Sequence, residues 1–285
     1  VASTEASRVA EIVGGFGVPH TPHFYSWANT GHPLADEIVR MYDGVGKRLR
    51  DAAPDTIVVF TSDHYNIFFE ESLPIFSIGV AESARGPSDY DTIPEREVRI
   101  DSALAREVQR HLVHSDFDVG ASQEFAFDHT VIGPLSFLLP DPGNDIAVVP
   151  VFISAFMRPI ASSSRCYALG RAIRDAIERY HGPQRVAALA SGGFSFEVGG
   201  PRIAGDSHVG VPDPGWVDRV AELLRAGDVD MLVSEATDER FERAGNAAGE
   251  TLDWIAMLGL IDPAPAAYLE VQPQFGHAYA AWPAA

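Results

Sequence analysis

Hydrophobic and polar positions along the chain switch repeatedly between two periods. Ile12 to Val18 is a short apolar run interrupted by glycines and reads as a strand. Leu34, Ile38, Met41, Tyr42, Val45 and Leu49 recur at helical spacing, so residues 33–52 are expected to form an amphipathic helix behind Pro33. Thr56 to Thr61 (TIVVFT) is continuous and β-branched, the pattern of a strand covered on both faces. Residues 75–80, 146–153 and 185–190 are further buried strands by the same reasoning. Helices are predicted over 101–114, 163–181, 213–226 and 248–260.

This regular alternation predicts an α/β fold, one catalytic domain over 1–285 with a mostly parallel or mixed central sheet and helices on both faces. Residues 1–10 are expected to be flexible, and residues 263–285 to form a C-terminal tail that covers the site or an interface. The loops richest in Gly, Pro and polar residues lie at 83–94, 140–145 and 199–215. Two of them exceed the usual connection length and are placed to cover or line a site. In folds of this class ligands collect at the carboxyl ends of the strands.

Composition narrows the function. The chain has 285 residues, 46% of them hydrophobic, enough for a substantial core and too many for a disordered chain. No run approaches the roughly 18 apolar residues of a membrane span. Forty acidic residues oppose 21 basic ones, giving a net charge of −19, and Lys47 is the sole lysine. So acidic a surface repels phosphate backbones, which excludes nucleic acid as a partner. Cys166 is the one cysteine and cannot form an internal disulfide. With no apolar leader at the N-terminus, this points to the cytoplasm.

Ten histidines stand against this acidic background. His20 follows the first strand in GVPHTPH, His64 follows TIVVFT in SDHYN, and His129 sits in FDH before an apolar helix or turn. Histidines at strand ends brought together by a sheet are good ligands for Fe, Zn, Mn or Ni. Glu250, in GETLDW, could complete such a set; it reads equally as an ordinary first-turn glutamate favoured by the helix dipole. The other histidines read as ordinary, with His208 and His277 the least certain. Gly14-Gly15-Phe16-Gly17 is not a dinucleotide fingerprint, because Pro19 and His20 stand where the third glycine and helix start belong. Ser191-Gly192-Gly193-Phe194-Ser195 matches neither a nucleophile elbow nor a phosphate loop.

At these residues the sequence resembles the class III extradiol ring-cleavage dioxygenases. This is the family of the protocatechuate 4,5-dioxygenase β subunit and of the 2,3-dihydroxyphenylpropionate dioxygenases. The strongest block is PDTIVVFTSDHYNIFFEESLPIFSIGV from Pro54. It is joined by FDHTVIGPLSFLL from Phe127, VVPVFISAF from Val148, ALASGGFSFEVGGP from Ala188 and the segment around Glu250, over residues 11–260. The resemblance implies that His20, His64 and Glu250 hold Fe(II), with open positions for a catechol-type or 2-aminophenol-type ring and O2. It implies meta cleavage of that ring beside its hydroxyls, with both oxygen atoms incorporated. His129 is implied as a histidine beside the metal that exchanges protons with substrate. Tyr25, Phe68, Phe127, Phe194 and Tyr268 are the aromatic residues assigned to the ring pocket.

One position departs from the pattern. Where the family has an acid–base histidine after SGG-x-S, this chain has Phe196. A phenyl ring can neither give nor take a proton, and losing a positioned acid or base typically costs about 10² to 10⁴ in rate. Turnover is therefore expected to be impaired. Either the phenylalanine is an introduced substitution, or the chain belongs to a natural branch that uses another base. Two other functional classes stay open: a zinc hydrolase using His20, His64 and Glu250, and a non-catalytic metal- or phenol-binding protein. The expected assembly is a homo-oligomer, with a small second subunit as the alternative the family allows.

Overall fold

The computed structural model of the protein describes residues 9–141, 143–182, 184–203, 207–262 and 264–283. The first half of the chain contains β1 (Glu11–Val18), α1 (His23–Asn29), α2 (Ala35–Asp51), β2 (Thr56–Thr61), β3 (Phe76–Gly79), β4 (Ser83–Gly86), β5 (Arg96–Arg99), α3 (Ser102–His114), β6 (Val119–Ser122) and α4 (His129–Leu138). It continues with β7 (Ala147–Ile153), α5 (Ser163–Glu178), β8 (Arg185–Ser191), β9 (Glu197–Val198), β10 (Val209–Gly210) and α6 (Pro214–Ala226). Then come α7 (Val229–Glu235), α8 (Asp238–Ala244), α9 (Thr251–Ile261), β11 (Tyr268–Gln272) and β12 (His277–Pro283).

Eight strands form one mixed sheet in the order β11-β12-β1-β8-β2-β7-β3-β6. The central β1-β8-β2-β7 run is parallel, while β12, β11 and the β3–β7 contact are antiparallel. Every residue of β2 and β7 is buried. Alternate side chains of β2 point to opposite layers, as a pleated strand requires. Val58 and Phe60 join the core under α3, α5, α6, α7 and α9, whereas Ile57 and Val59 join the one under α1, α2 and α4. The predicted strands and helices all appear at these places. Three seven-residue helices (α1, α7 and α8) and seven further strands (β4, β5, β6, β9, β10, β11 and β12) come from segments without a long apolar period.

The glycines of β1 serve packing. A Cβ on Gly17 would lie 2.3 Å from the Trp254 ring, and one on Gly15 would lie 2.5 Å from Ile261. Their absence lets α9 lie directly on the sheet, with every residue from Thr251 to Leu260 buried. Burying a Leu or Ile in this way is worth about 1.5–3 kcal/mol each. On the opposite layer Ile38, Tyr42, Val45 and Leu49 of α2 are buried, and the Tyr42 hydroxyl donates to the Pro19 carbonyl at 2.7 Å. That bond fixes the chain where it leaves β1.

The expected loop over 83–94 contains β4 and leads into its hairpin partner β5. Of the N-terminal stretch expected to be flexible, residues 1–8 lie outside the described residues; Val9 bridges to His181 and Ala10 is buried. In the expected C-terminal tail, residues 263, 284 and 285 also lie outside the described residues. The remainder forms β11 and β12 and extends the sheet beside β1. Its turn still borders the strand ends, because the Gly276 carbonyl accepts from the Phe194 and Ser195 N–H groups. Among the described residues no helix is long and apolar enough to cross a membrane.

Candidate metal centre

His20 lies just beyond β1 and is buried. Its Nδ1 meets the Ser191 hydroxyl at 3.0 Å, at the end of β8. That hydroxyl donates its single proton to the Thr130 carbonyl at 2.5 Å. Ser191 must therefore accept from His20, which places a hydrogen on Nδ1 and leaves the neutral ring's lone pair on Nε2. Nε2 points at Glu250 Oε1, 3.2 Å away.

His64 follows β2, on the far side of β8 from His20. Asp63 folds this segment back, its carboxylate accepting from the N–H groups of Asn66, Ile67 and Phe68 at 3.2, 2.9 and 3.0 Å. His64 Nε2 then reaches the same Glu250 Oε1 at 3.3 Å. Burial works to lower the His64 pKa, but Glu250, Asp128 and Asp63 outweigh it and hold it above its ordinary value. The edge of the ring meets Phe156 at 4.6 Å.

Glu250 ends a short 3-10 turn, Ala248–Glu250, that leads into α9. Its Oε2 accepts from the Gly193 N–H at 2.7 Å, which turns Oε1 toward the two imidazoles. Gly192 makes this approach possible: its φ is +153°, and a Cβ there would sit 2.7 Å from the Glu250 Cβ. Burial would push the Glu250 carboxyl up, but His20 and His64 together hold it well below the usual carboxylate range.

Two imidazole nitrogens thus converge on one oxygen of a buried, ionised carboxylate: protonated rings donate to it, and neutral rings with the lone pair on Nε2 need a cation between. The residues fit a metal ion, and their donor set of two neutral imidazoles and one carboxylate suits a divalent first-row metal with open positions. The network through Ser191 to a backbone carbonyl is the support that fixes a ligating histidine's tautomer.

His129 begins α4 behind the cap residue Asp128, whose carboxylate accepts from the Thr130 N–H at 3.0 Å. Its ring lies 5.4 Å from that of His20 and 5.0 Å from that of His64. Ligand nitrogens of these three histidines lie within 4.8 Å of one another. Burial holds the His129 pKa down, against the pull of a hydrogen bond to Asp89. Asp89, Asp128 and His129 form a second close group. The Asn66 side-chain amide already donates into it, to Asp89 at 3.2 Å and to Asp128 at 3.0 Å.

The structure thus brings His20, His64, Glu250 and His129 together and scatters the aromatic residues assigned to the pocket. Phe68 borders a small cavity with Asp63, Phe152, Phe156 and Met157 beside His64. Phe127 and Phe194 are fully buried, packed on Phe125 at 5.3 Å and on Trp254 at 4.8 Å. Tyr25 packs on Phe137, and Tyr268 lies on β11 under Arg48 with its hydroxyl on Glu270. These four sit in packing positions because a large aromatic side chain stabilises a core as readily as it lines a site. Phe196 is half-buried, and its carbonyl accepts from the Ala247 N–H just before the turn that carries Glu250. His277, read as ordinary, is buried beside Phe24 and bonded to Gln272 at 2.9 Å. Burial, with the charge of His20, pushes it down to about 3. Ser191 and Asp89 escaped the sequence reading. Ser191 was visible only within the SGG block, and Asp89 only as one polar residue of a long loop.

Fold and site together define an α/β protein in which two histidines and a carboxylate converge at the carboxyl ends of its strands, a set that could hold a metal ion. Residues 14–280 match the family model described as the catalytic LigB subunit of aromatic ring-opening dioxygenase. The chain belongs to this family, whose members are class III extradiol dioxygenases. Similar curated proteins include two named 2,3-dihydroxyphenylpropionate/2,3-dihydroxicinnamic acid 1,2-dioxygenase. The one from Paraburkholderia phymatum is 30% identical, over 85% of this chain and 86% of that one. The one from Paraburkholderia xenovorans is 27% identical over the same shares. Among solved structures, the uncharacterized protein JW3007 of Escherichia coli K12 has the same fold. Its TM-score is 0.59 at 16% identity, covering 96% of this chain and all of that one.

Proposed function

We propose that this chain cleaves a catechol-type or 2-aminophenol-type ring beside its hydroxyls with O2, using Fe(II) held by His20, His64 and Glu250. The observation that carries the reading is the shared Glu250 oxygen, 3.2 and 3.3 Å from Nε2 of His20 and His64. The names of the similar dioxygenases, which describe dihydroxylated aromatic substrates, support the ring class.

Fe(II) bound there supplies a centre that gathers both ring oxygens and O2 and passes electrons between them. The protein's own part is orientation and proton handling. Ser191 and Gly193 aim His20 and Glu250 through hydrogen bonds of 3.0 and 2.7 Å. Phe156 packs against the His64 ring in a T-shaped contact and limits its orientation. His129, whose ring stands about 5 Å from both ligand histidines, takes the proton from a substrate hydroxyl at Nε2. Phe196 can make no such transfer, so turnover is slowed.

The test is anaerobic iron loading followed by a panel of catechols and 2-aminophenols, read by O2 uptake and by the yellow ring-opened product. In Phe196→His the catechol-dependent O2 uptake should rise at least tenfold, of the order expected when an acid–base group is restored. Absence of product from every ring in both proteins refutes the reading, and zinc-dependent hydrolysis without O2 would replace it. Product with no rise in the variant would place the chain in a natural branch with its own base.

A further inference from the structure

The loop that joins β4 to β5 delivers Asp89 to His129. Its Ser88 N–H donates to the Phe127 carbonyl at 2.8 Å, two residues before His129. Asp89 Oδ1 accepts from the His129 backbone N–H at 2.9 Å, and Oδ2 makes a short contact with His129 Nδ1. The Asn66 amide donates to Oδ2 from the other side at 3.2 Å. Tyr90, the next residue, packs its ring at 4.9 Å against His129.

We propose that Asp89 is the positioning residue that fixes the His129 ring with hydrogen on Nδ1, so that Nε2 faces the metal centre as a proton acceptor. The proposal rests on the catechol-cleavage reading only for the use made of that acceptor. A carboxylate can only accept, and the other groups hydrogen-bonded to Asp89, the His129 backbone N–H and the Asn66 amide, are donors, so the His129 hydrogen belongs on the nitrogen facing Asp89. Among the described residues Nε2 has no hydrogen bond to the protein. It is the nitrogen left for substrate, and the negative charge behind the ring stabilises the imidazolium formed on proton uptake. The arrangement supplies what position 196 lacks: a base held in one tautomer and one orientation, from a different part of the chain.

Replacing the carboxylate by a carboxamide tests this without changing its size. In Asp89→Asn the amide oxygen must stay on the His129 backbone N–H, which is always a donor. The NH2 group then faces Nδ1, and the cheapest accommodation moves the ring hydrogen to Nε2. A base aimed at substrate becomes a donor.

Two readouts decide. In metal-free protein, 15N–1H correlation of the imidazoles, with the His129 signals identified by their loss in His129→Gln, should show Nδ1–H in the wild type and Nε2–H in Asp89→Asn. In iron-loaded protein, kcat for a catechol should fall about 10² to 10⁴-fold while KM moves less than about threefold, the pattern of a base in the wrong tautomer. An Nε2–H tautomer in the wild type overturns the proposal, as does an unchanged tautomer in the variant. A reversed tautomer with unchanged kcat also overturns it. If the wild type turns over no ring at all, the reaction reading fails, while the tautomer measurement still decides the role of Asp89.

Discussion

Ser191→Ala probes the support of the metal centre most directly. The hydroxyl is fully buried, accepts from His20 Nδ1 and donates to the Thr130 carbonyl. Removing it leaves two buried polar groups without a partner, each costing about 1–3 kcal/mol. It also frees His20 to move its hydrogen to Nε2 and donate to Glu250 across the 3.2 Å gap. A metal must then displace that proton, so affinity should fall about 10- to 100-fold, equivalent to about 1.4–2.8 kcal/mol. Ser195→Ala is the matched control. Its hydroxyl is equally buried and joins the Ala244 carbonyl at 2.8 Å to the Asp213 N–H at 2.9 Å, but it touches no ligand residue. Both variants should unfold at lower temperature, and only Ser191→Ala should lose affinity in anaerobic Fe(II) competition against a chelator. Equal losses of affinity in the two, or a Ser191→Ala affinity within threefold of the wild type, refute the tautomer reasoning.

Gly192→Ala places a methyl 2.7 Å from the Glu250 Cβ on a backbone with φ of +153°. It should cost about 1–3 kcal/mol in urea unfolding and lower the bound metal per chain, and wild-type values of both would show the position is not crowded. Asp253→Asn tests a buried carboxyl that burial, and the charge of Glu250, push well above its ordinary range. The unfolded chain releases this proton above about pH 4 while the folded chain retains it, so wild-type stability falls as pH rises beyond that point. The carboxamide does not titrate, so the variant should gain on the wild type between pH 5 and pH 8, by at most about 1.4 kcal/mol per pH unit. A stability difference that does not change with pH contradicts it.

The parts of the fold legible in the sequence are those where one segment carries its own signal. TIVVFT is buried along its whole length as β2, and the helical spacing from Leu34 to Leu49 is the buried stripe of α2. β12 carries no such signal. HAYAAWP is rich in alanine and becomes a strand because β1 on one side and β11 on the other supply its partners. The glycines of β1 carried a real signal for a different cause: they mark the place where Trp254 and Ile261 come down on the sheet. Phe194 and Phe127 show the converse, since residue type alone does not say which way a ring points.

The site was legible to the extent that strand ends are legible. His20 and His64 could be placed at the carboxyl ends of β1 and β2, but these strands are not neighbours. β8 lies between them, and its terminal Ser191 and Gly193 set the direction of both His20 and Glu250. Such non-local pairing leaves no local period to read. Protonation is equally hidden. Glu250 and Asp253 stand three residues apart, both buried, and look alike as letters. Two imidazoles face Glu250, so it stays ionised; among the described residues Asp253 accepts a side-chain hydrogen bond from the Ser62 hydroxyl, at 2.8 Å, meets no cation, and burial keeps it neutral. Of two carboxyls three residues apart at one helix start, the fold therefore makes one an anion facing two imidazoles and the other a neutral strut. That choice depends on what β1, β2 and β8 bring to each carboxyl.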